Sequence, residues 1–282
     1  METKQNSNQS AKQIRLKEVL AIVNQKGGVG KTTTVQSLAV ALMRHCKSWR
    51  VLVIDLDPQG DLSKLMHWDA EFGDRPTVTD ALAEERGRLP IYKSDRGVYY
   101  VPSSKELQNI EPKMMDQMKY LHPYLLLRQR LLGEIEDCTG EGITSIPEWF
   151  DYVLIDCSPA LSMCTYNAMG AASGLLIPVQ MEGLSVDGIG SIVVEMAQMQ
   201  QGLNPQLQLR GLLPVMVDAR PNIVKGFISY LRTAYGDNVT QTTIPRSVKV
   251  NEAQTKKQDI YEYKQWSPAA CAYESLVKEL FD

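Results

Sequence analysis

The residues with the clearest chemical potential stand in one short stretch, Lys26-Gly-Gly-Val-Gly-Lys-Thr-Thr33, in which two lysines bracket a run rich in glycine. Consecutive backbone N–H groups in such a turn, together with the positive end of a following helix, form a site for an anion such as phosphate. Lys31 would place its ammonium group over the β- and γ-phosphates of a nucleotide, and Thr32 would offer a hydroxyl to Mg²⁺. The stretch therefore predicts a nucleotide phosphate site.

This stretch departs from the usual pattern G-x-x-x-x-G-K-[ST] at the start of its turn. Gln25 replaces the first glycine, and a second lysine, Lys26, precedes Gly27. A triphosphate with bound Mg²⁺ keeps about two net negative charges, of which one lysine neutralises only a part. Because Lys26 lies at the mouth of the turn, it could serve a nucleotide held by a second subunit, so that ATP joins a dimer. The alternative is a glycine turn without a ligand.

The elements around the turn are those that a phosphate loop requires. An apolar run from Val19 to Val23 predicts a strand, and the spacing of Val35, Leu38 and Leu42 predicts a helix that starts near Thr32. Strand, loop and helix follow one another without a gap. This context favours the nucleotide site over an empty turn.

Two further apolar runs end in carboxylates. Arg50–Gly60 predicts a strand that ends at Asp55 and Asp57, and Trp149–Pro159 predicts one that ends at Asp156. In a parallel sheet such strand ends meet at the ligand crevice. Considered alone, a pair of strand-end carboxylates is more often a cap or an ion pair, but the phosphate site upstream favours catalysis and magnesium. Asp156 has the form of a Walker B carboxylate, which holds the Mg²⁺ shell through water.

Strands and helices alternate along the whole chain, which predicts an α/β fold: a doubly wound, mostly parallel sheet with helices on both faces, as in P-loop NTPases. We predict one domain over residues 18–282, preceded by a flexible polar tail at residues 1–17. Further strands are expected at 97–103, 174–180 and 209–217, and helices at 77–85, 112–136, 186–199 and 267–281. On the second of these helices, Arg128 and Arg130 would lie on a solvated face or contact a partner.

The composition is ordinary for a soluble globular protein: 22% of the residues are charged, 44% are hydrophobic and the net charge is −3. This charge argues against coating nucleic acid with the whole surface, although a local basic patch remains possible. Five scattered cysteines without a CxxC pair predict reduced thiols in a cytosol. The spacing of Cys157 and Cys164 fits no metal cluster, and no apolar run approaches the ~20 residues of a membrane span.

The stretch from Lys26 to Thr33 resembles the deviant Walker A box of the ParA/MinD family of ATPases, and Lys26 matches the signature lysine of that family. The strand end at 55–61 also resembles the family pattern D-x-D-P-Q-G-N, with Asp61 in place of Asn. The resemblance implies ATP and Mg²⁺ as cofactors and catalytic roles for Lys26, Lys31 and Asp57, the last positioning the attacking water. It implies magnesium contacts from Thr32, Asp55 and Asp156, and phosphate contacts from Lys26, Gly27, Gly28, Val29, Gly30, Lys31, Thr32 and Thr33.

A late stretch, Gln241–Ala253, resembles the family segment I-P-R-N-x-R-x-x-E-A. The resemblance implies base contacts from Met216, Pro245 and Arg246, and DNA contacts without sequence preference from Arg220 and Lys249. Charge supports a basic region independently. Residues 219–257 hold seven Lys or Arg and two Asp or Glu, a balance of +5 in a chain of −3. Such a patch suffices for contact with the phosphate backbone, and a generic solvated surface is the alternative.

The resemblance implies a DNA partition ATPase of a plasmid or chromosome. Two subunits would form an ATP-dependent homodimer, bind double-stranded DNA nonspecifically, and be released when a ParB-like centromere-binding activator accelerates hydrolysis. The protein would be cytoplasmic, and nucleoid-associated when ATP is bound.

Two other functions are open. A MinD-like positioning ATPase would dock on a membrane through a basic terminal helix, but the last eleven residues carry Glu274, Glu279 and Asp282 against Lys278 alone, which predicts no membrane contact. A metabolic or metal-cluster P-loop protein is disfavoured by the missing CxxC pair, and a GTPase by the missing Asn-Lys-x-Asp.

Overall fold

The computed structural model describes residues 13–68, 75–119, 121–181, 187–218 and 221–282. Within these residues the chain forms one eight-stranded sheet with helices on both faces. In chain order the strands are β1 (Glu18–Ile22), β2 (Val51–Leu56), β3 (Leu89–Lys93), β4 (Tyr99–Val101), β5 (Ile135–Asp137), β6 (Tyr152–Cys157), β7 (Gly174–Gln180) and β8 (Gln208–Val215).

The same residues contain α-helices on either side of the sheet and a few short 3-10 turns between them. The helices are α1 (Lys31–His45), α2 (Asp61–Leu65), α3 (Val78–Ala83), α4 (Glu111–Met115), α5 (Leu126–Leu132), α6 (Ile146–Trp149), α7 (Met163–Ala171), α8 (Asp187–Gly202), α9 (Pro221–Tyr235), α10 (Val248–Thr255), α11 (Ile260–Lys264) and α12 (Pro268–Phe281).

The strand order is β5-β3-β4-β2-β6-β1-β7-β8, and each neighbouring pair is parallel except β3 with β4. The central strands are buried on both faces, as expected where helices cover a parallel sheet on both sides. In β1, Leu20 and Ile22 pack on the side of α1 and α12, whereas Val19 and Ala21 pack on the side of α5, α7 and α8. The doubly wound fold predicted from the sequence is confirmed.

Two predicted helix starts are confirmed by their caps. Thr77 precedes α3, and its hydroxyl accepts the Thr79 N–H while the Asp80 carboxylate accepts the Thr77 N–H, which is a capping box. Ser267 precedes α12 and accepts the N–H of Ala270, with Pro268 at the first helical position. Both caps are local signals, which is why the sequence suffices to locate them.

The single helix predicted over residues 112–136 is wrong. The segment contains α4, then α5, and ends in the strand β5, so that Ile135 lies on a strand. The break precedes Pro123, where His122 takes an extended conformation (ψ 128°) because a residue before proline disfavours the helical one. Gly133 then ends α5.

Arg130 is buried, contrary to the expectation of a solvated or partner-contacting side chain. Its guanidinium donates hydrogen bonds to the backbone carbonyls of Ala81, Glu84 and Glu85 and to the Gln117 side chain. These carbonyls lie at and beyond the C-terminal end of α3, where a helix leaves acceptors without intrahelical donors. Arg130 therefore fastens α5 to the end of α3, while Arg128 stays half-buried.

β3 and β5 are not among the strands predicted from the sequence. β5 has three residues, two of them acidic, and β3 contains Pro90, so neither shows the alternation or apolar run that marks a strand. β5 is the edge strand and β3 is the next strand inward. Pro90 is the second residue of β3 and lies before the part that pairs with β4, so its missing N–H is tolerated there.

The last residues of the predicted polar tail are joined to the domain. The backbone N–H groups of Arg15 and Leu16 donate to the carbonyl of Pro147, and that of Lys17 donates to the carbonyl of Asp151. Arg15 also pairs with the Asp151 carboxylate at 2.9 Å. The domain boundary therefore precedes Arg15, and residues 1–12 of the predicted tail lie outside the described residues.

No helix within the described ranges combines the length and the apolar character that crossing a membrane would require.

Candidate active site

The glycine-rich turn joins β1 to α1, as the sequence predicts. Gly28 and Gly30 have φ angles of 73° and 78°, in the left-handed region where a side chain costs about 1–2 kcal/mol. Gly30 directly precedes α1, so the turn delivers the first N–H groups of that helix toward the cleft. The Val29 side chain is fully buried, and of this residue only the backbone can face a phosphate.

Asn24 braces the turn, a role that the sequence analysis does not assign to it. Its side-chain amide donates to the carbonyl of Pro178 at 2.7 Å, and its amide oxygen accepts the N–H of Lys26 at 2.8 Å. The residue is 3% exposed. Asn24 thereby fixes the start of the loop to the end of β7, and its only sequence signal is a polar residue directly after an apolar strand.

The two lysines differ in their surroundings. Lys31 is buried, and its Nζ donates to the carbonyl of Lys26 at 3.2 Å. Burial lowers the pKa of Lys31, and the neighbouring Asp156, Cys157 and Asp57 oppose that shift. Lys26 is exposed at the mouth of the loop. The Lys31 side chain is therefore enclosed beside the phosphate loop, whereas the Lys26 side chain is exposed at its mouth.

Asp156 ends β6 with a buried carboxylate. The residue is 1% exposed, and neither of its oxygens has a hydrogen-bond partner among the described residues. Burial raises the pKa of Asp156 well above its usual range, and the neighbouring Asp55 adds to the shift, while Thr32 and Lys31 oppose it. An unsatisfied carboxylate beside the phosphate loop fits a cation site.

Asp55 lies beside Asp156 in the β2–β6 register, but its carboxylate is already occupied. It accepts the N–H of Asp57 and both the N–H and the hydroxyl of Ser63, at 3.0, 2.8 and 2.6 Å. Burial raises the pKa of Asp55 to about 6, against these hydrogen bonds. Asp55 therefore braces the loop after β2 and the start of α2, and it adds negative charge beside Asp156.

The residues present fit Mg²⁺. No group of three or more His, Cys, Asp or Glu side chains in the described ranges could enclose a metal ion. Mg²⁺ in nucleotide sites needs no such group, because it keeps several waters and takes one or two protein ligands together with phosphate oxygens. The Thr32 hydroxyl and the Asp156 carboxylate supply that number of protein ligands.

Asp57 follows β2 on a turn that opens into the cleft. One of its oxygens accepts the N–H of Gln59 at 2.9 Å, and Gly60, at φ 62°, directly precedes α2. Asp57 and Asp61 both line the cleft, and Asp61 also pairs with Lys64 at 2.8 Å. The structure thus places Asp57 in the same cleft as the phosphate loop.

The cleft extends from the phosphate loop to the residues that the resemblance assigns to the base. Its volume is about 400 Å³, within the range of small-molecule sites. Val217 and Pro245 form an isolated parallel bridge, and the N–H of Arg246 donates to the carbonyl of Val217 at 3.0 Å. Met216 has a φ of 51°, and its Cε lies 3.7 Å from where a Cβ on Gly30 would be. Met216, Pro245 and Arg246 therefore share one cleft with the phosphate loop.

The predicted DNA contacts are only partly described. Arg220 lies outside the described residues. Lys249 is on the first turn of α10, exposed, and pairs with Glu252 at 2.7 Å, while the Tyr263 hydroxyl donates to the same carboxylate at 2.6 Å. Arg246 is half exposed and lies 3.3 Å from Asp218. Lys249 thus lies on the helix whose inner side lines the cleft.

Tyr273, Asn251 and Gln254 are among the residues that line the cleft without having been predicted as site residues. Tyr273 is buried, its hydroxyl is 3.2 Å from that of Thr34, and burial raises its pKa to about 12. Gln254 donates a hydrogen bond to the Thr33 hydroxyl at 2.7 Å. The sequence signal that could have located Asn251 and Gln254 is a helix over residues 248–255, which places these two side chains one turn apart on the same face.

Comparison with known proteins agrees with this geometry. A family model described as an AAA domain matches residues 17–209. The chain is 33% identical over 262 residues to the chromosome-partitioning ATPase Soj of Thermus thermophilus, covering 93% of this chain and 94% of that protein. It is 32% identical over 272 residues to the chromosome partitioning protein ParA of Caulobacter vibrioides, covering 93% of each.

A solved structure shares the fold with a nucleotide in place. Cobyrinic acid a,c-diamide synthase from Mycobacterium smegmatis, with bound ADP and magnesium, aligns with a TM-score of 0.74 and 29% identity over 93% of each chain. Sheet, phosphate loop and neighbours together define a P-loop ATPase that uses ATP and Mg²⁺. Within that class the likeness to Soj and ParA runs along nearly the whole chain, and the chain belongs to the ParA/MinD family.

Proposed function

We propose that this chain is a DNA partition ATPase of the Soj and ParA type. The observation that carries the proposal is an outward-facing lysine at the mouth of the phosphate loop, in a chain whose likeness to partition ATPases spans 93% of its length. In this proposal the ATP-bound protein is a homodimer on double-stranded DNA. A ParB-like activator accelerates hydrolysis and releases the dimer, which moves or positions a plasmid or chromosome region.

The proposed dimer rests on the different surroundings of the two lysines. Lys31 is enclosed beside Asp156 and Asp57, so it serves the nucleotide of its own subunit. Lys26 is exposed beside the phosphate loop, and in this proposal its ammonium group contacts the γ-phosphate held by a facing subunit. A charge supplied across an interface makes nucleotide occupancy and association mutually dependent.

In the catalytic step the chain mainly positions groups, as phosphoryl transfer requires. When bound, Mg²⁺ would neutralise charge on the phosphates, held by the Thr32 hydroxyl and the Asp156 carboxylate. Lys31 would stabilise negative charge on the transferred group. Asp57 would orient the attacking water, because it stands on the turn that lines the cleft beside the phosphate loop.

DNA binding would involve the outer side of α10. Lys249 is exposed on that helix, and Lys256 and Lys257 follow its C-terminal end. Binding through lysines to the phosphate backbone requires no base readout and falls steeply with salt. We propose Arg220 as a second contact on the basis of the resemblance alone.

The dimer is tested by light scattering with ATP and Mg²⁺. The parent protein should double its mass, Lys26→Ala should remain a monomer while still binding nucleotide, and Asp57→Ala should form a dimer that does not turn over ATP. Lys64→Ala is a matched control, because it removes another exposed lysine, one that lies on α2 outside the phosphate loop. A Lys26→Ala protein that dimerises as the parent does would refute the proposed role of this lysine.

The membrane alternative makes a different prediction for α12. Leu276 and Val277 on this helix are buried, and Leu280 and Phe281 pack against the same core. The apolar side of the helix is therefore already used, whereas membrane docking needs a free apolar face. We expect an ATP-dependent DNA shift that Lys249→Ala weakens, and no flotation with anionic liposomes. Flotation without a DNA shift would favour the MinD-like function.

A further inference from the structure

The helix α10 is joined to the nucleotide machinery by a side-chain hydrogen bond. Gln254, near its C-terminal end, donates through Nε2 to the Thr33 hydroxyl at 2.7 Å. Thr33 lies in the first turn of α1, directly after the phosphate loop. Both residues line the nucleotide cleft. The bond therefore spans the two walls of the cleft, between a phosphate-contacting segment and a helix that carries an exposed lysine.

A hydroxyl that accepts one hydrogen bond can donate another. With Gln254 donating to the Thr33 oxygen, the Thr33 proton is available to an anionic oxygen in the cleft. A phosphate oxygen that accepts a hydrogen bond from this hydroxyl polarises it, and consecutive hydrogen bonds strengthen one another. Nucleotide binding at Thr33 should therefore strengthen the bond that holds α10.

The C-terminal end of α10 is fixed separately. Lys257 has a φ of 52°, a left-handed conformation that a side chain disfavours. Its carbonyl lies 3.0 Å from His67 Nε2 and 3.0 Å from Arg96 Nη2, so both side chains can hold it. Arg96 also pairs with Glu262 of α11 at 2.5 Å.

This anchor connects α10 to the loop that carries Asp57. His67 follows α2, which begins directly after Gly60 at the end of that loop. Like Lys257, His67 has a positive φ, 64°. The helix α10 is thus held at one end by the segment that follows Asp57, and along its inner side by Thr33.

We propose that Gln254 is a positioning residue that couples occupancy of the phosphate loop to the placement of α10, and through it to Lys249. The link to DNA rests on the proposed function, whereas the link from nucleotide to α10 does not. Gln254 acts through Thr33 and contacts no reacting atom. In this scheme an empty site leaves α10 loosely held, and a filled site fixes it and the lysine on its outer side.

The first test is backbone hydrogen exchange across residues 248–255, with and without ADP and Mg²⁺. In the parent protein the nucleotide should slow exchange of this helix about fivefold or more, the equivalent of one strengthened hydrogen bond. In Gln254→Ala that protection should disappear while calorimetry still shows ADP bound. Thr255→Ala is the control, because Thr255 lies on the same helix and its hydroxyl donates within that helix, to the carbonyl of Asn251.

Three further variants separate coupling from a general loosening of the helix. Thr33→Val removes the shared hydroxyl and should abolish the protection, whereas Thr33→Ser should retain it. Gln254→Glu replaces the donor by a carboxylate, which would accept the hydrogen bond of the Thr33 hydroxyl and repel phosphate, so it should also weaken ADP binding, about tenfold. Full protection in Gln254→Ala, or no protection of α10 by ADP in the parent protein, would overturn the proposal.

The second test measures DNA affinity with and without ATP. Gln254→Ala should reduce the ATP-dependent increase in DNA affinity about fivefold, with ATP affinity changed less. If the parent protein shows no ATP-dependent DNA binding, the proposed function fails, and the exchange experiment still decides whether nucleotide controls α10. Retention of the full ATP-dependent increase in Gln254→Ala, with DNA binding intact in the parent, would refute the coupling to Lys249.

Discussion

The substitution Asp156→Asn removes the buried carboxylate at the end of β6. It should make the protein without nucleotide more stable, and it should abolish the stabilisation that depends on Mg²⁺. Asp156 is 1% exposed, and its two oxygens lack hydrogen-bond partners in the described part of the chain. A buried group without a partner costs about 1–3 kcal/mol, and more when it is charged. Asparagine keeps the shape and removes the charge, although it leaves a polar amide in the same place.

We expect the substitution to raise the free energy of unfolding by about 1–3 kcal/mol without nucleotide. For a chain of this length, each kcal/mol corresponds to roughly 2 °C in Tm, so Tm should rise by roughly 2–6 °C. The increase in unfolding free energy caused by a saturating nucleotide should, in contrast, be smaller in Asp156→Asn than in the parent protein. At about 100 times its Kd, a ligand adds about 2.7 kcal/mol, and in Asp156→Asn the part of that increment that depends on Mg²⁺ should disappear.

The difference between the two proteins should depend on pH. Burial raises the pKa of Asp156 above its value in the unfolded chain. At a pH below the unfolded pKa of about 4, the carboxyl is protonated in both states and contributes nothing. As pH rises above that value, the unfolded chain releases the proton first, so the parent protein loses stability relative to Asp156→Asn. The gap should therefore widen from about pH 4 upward.

Differential scanning fluorimetry from pH 4.5 to pH 8, with and without ADP and Mg²⁺, measures both effects. Asp237→Asn is the matched control, since Asp237 is exposed and its substitution should change stability by about 0.5 kcal/mol or less. The reasoning would be refuted by an Asp156→Asn protein that is less stable than the parent without nucleotide. A full magnesium-dependent shift in that variant would equally exclude Asp156 as a magnesium contact.

Three further substitutions test the supports of the site. Ser63→Ala removes the hydroxyl that donates to Asp55 at 2.6 Å and should cost about 1–3 kcal/mol in urea unfolding; an unchanged midpoint would contradict the brace. Arg130→Met leaves several buried carbonyls without a donor and should cost about 3 kcal/mol or more, whereas Arg128→Met on the same helix should cost less than about 1 kcal/mol; equal losses would show that the burial of Arg130 is not decisive. Gly30→Ala forces a side chain into φ 78° and should cost about 1–2 kcal/mol together with most of the ATP affinity measured by calorimetry; unchanged ATP binding would mean that the turn tolerates another conformation.

The phosphate loop could be predicted from the sequence because each of its determinants is local. An apolar strand, left-handed positions at Gly28 and Gly30, and a helix start at Lys31 are separated by a few residues, and each has its own signal. Asp156 could be placed for a related reason, since a fully buried parallel strand forms a continuous apolar run and its last polar residue marks its end. These features need no knowledge of what packs on them.

The segment around α5 could not be predicted in the same way. The apolar spacing at 124–135 fits one helix, yet Ile135 belongs to a strand because it pairs with Leu89 of β3, which lies 46 residues earlier in the chain. The burial of Arg130 could not be predicted either. Its burial depends on carbonyls at the end of α3, and nothing adjacent to residue 130 indicates that they lie within reach.

The roles of Asn24 and Gln254 were missed for a different reason. Both are uncharged amides whose function consists in joining two segments, β7 to the loop and α10 to α1. A single Asn or Gln forms no recognisable sequence motif. Its role becomes clear only when the structure shows which donor and acceptor lie within hydrogen-bond distance of its side chain. Sequence patterns located the charged groups of the site, whereas the neutral hydrogen bonds that hold its walls required the structure.

The charged groups of the site are arranged for a ligand more than for the protein alone. Lys31 is buried, its pKa is lowered by burial, and its Nζ bonds to a backbone carbonyl 3.2 Å away. Asp156 and Asp55 stand side by side with raised pKa values. A nucleotide phosphate would give Lys31 an anionic partner, and a cation would give Asp156 a positive one, so binding should relieve both electrostatic costs. Because such relief raises the free energy of unfolding only when the ligand is present, the site itself should make the stability of this ATPase strongly dependent on nucleotide and magnesium.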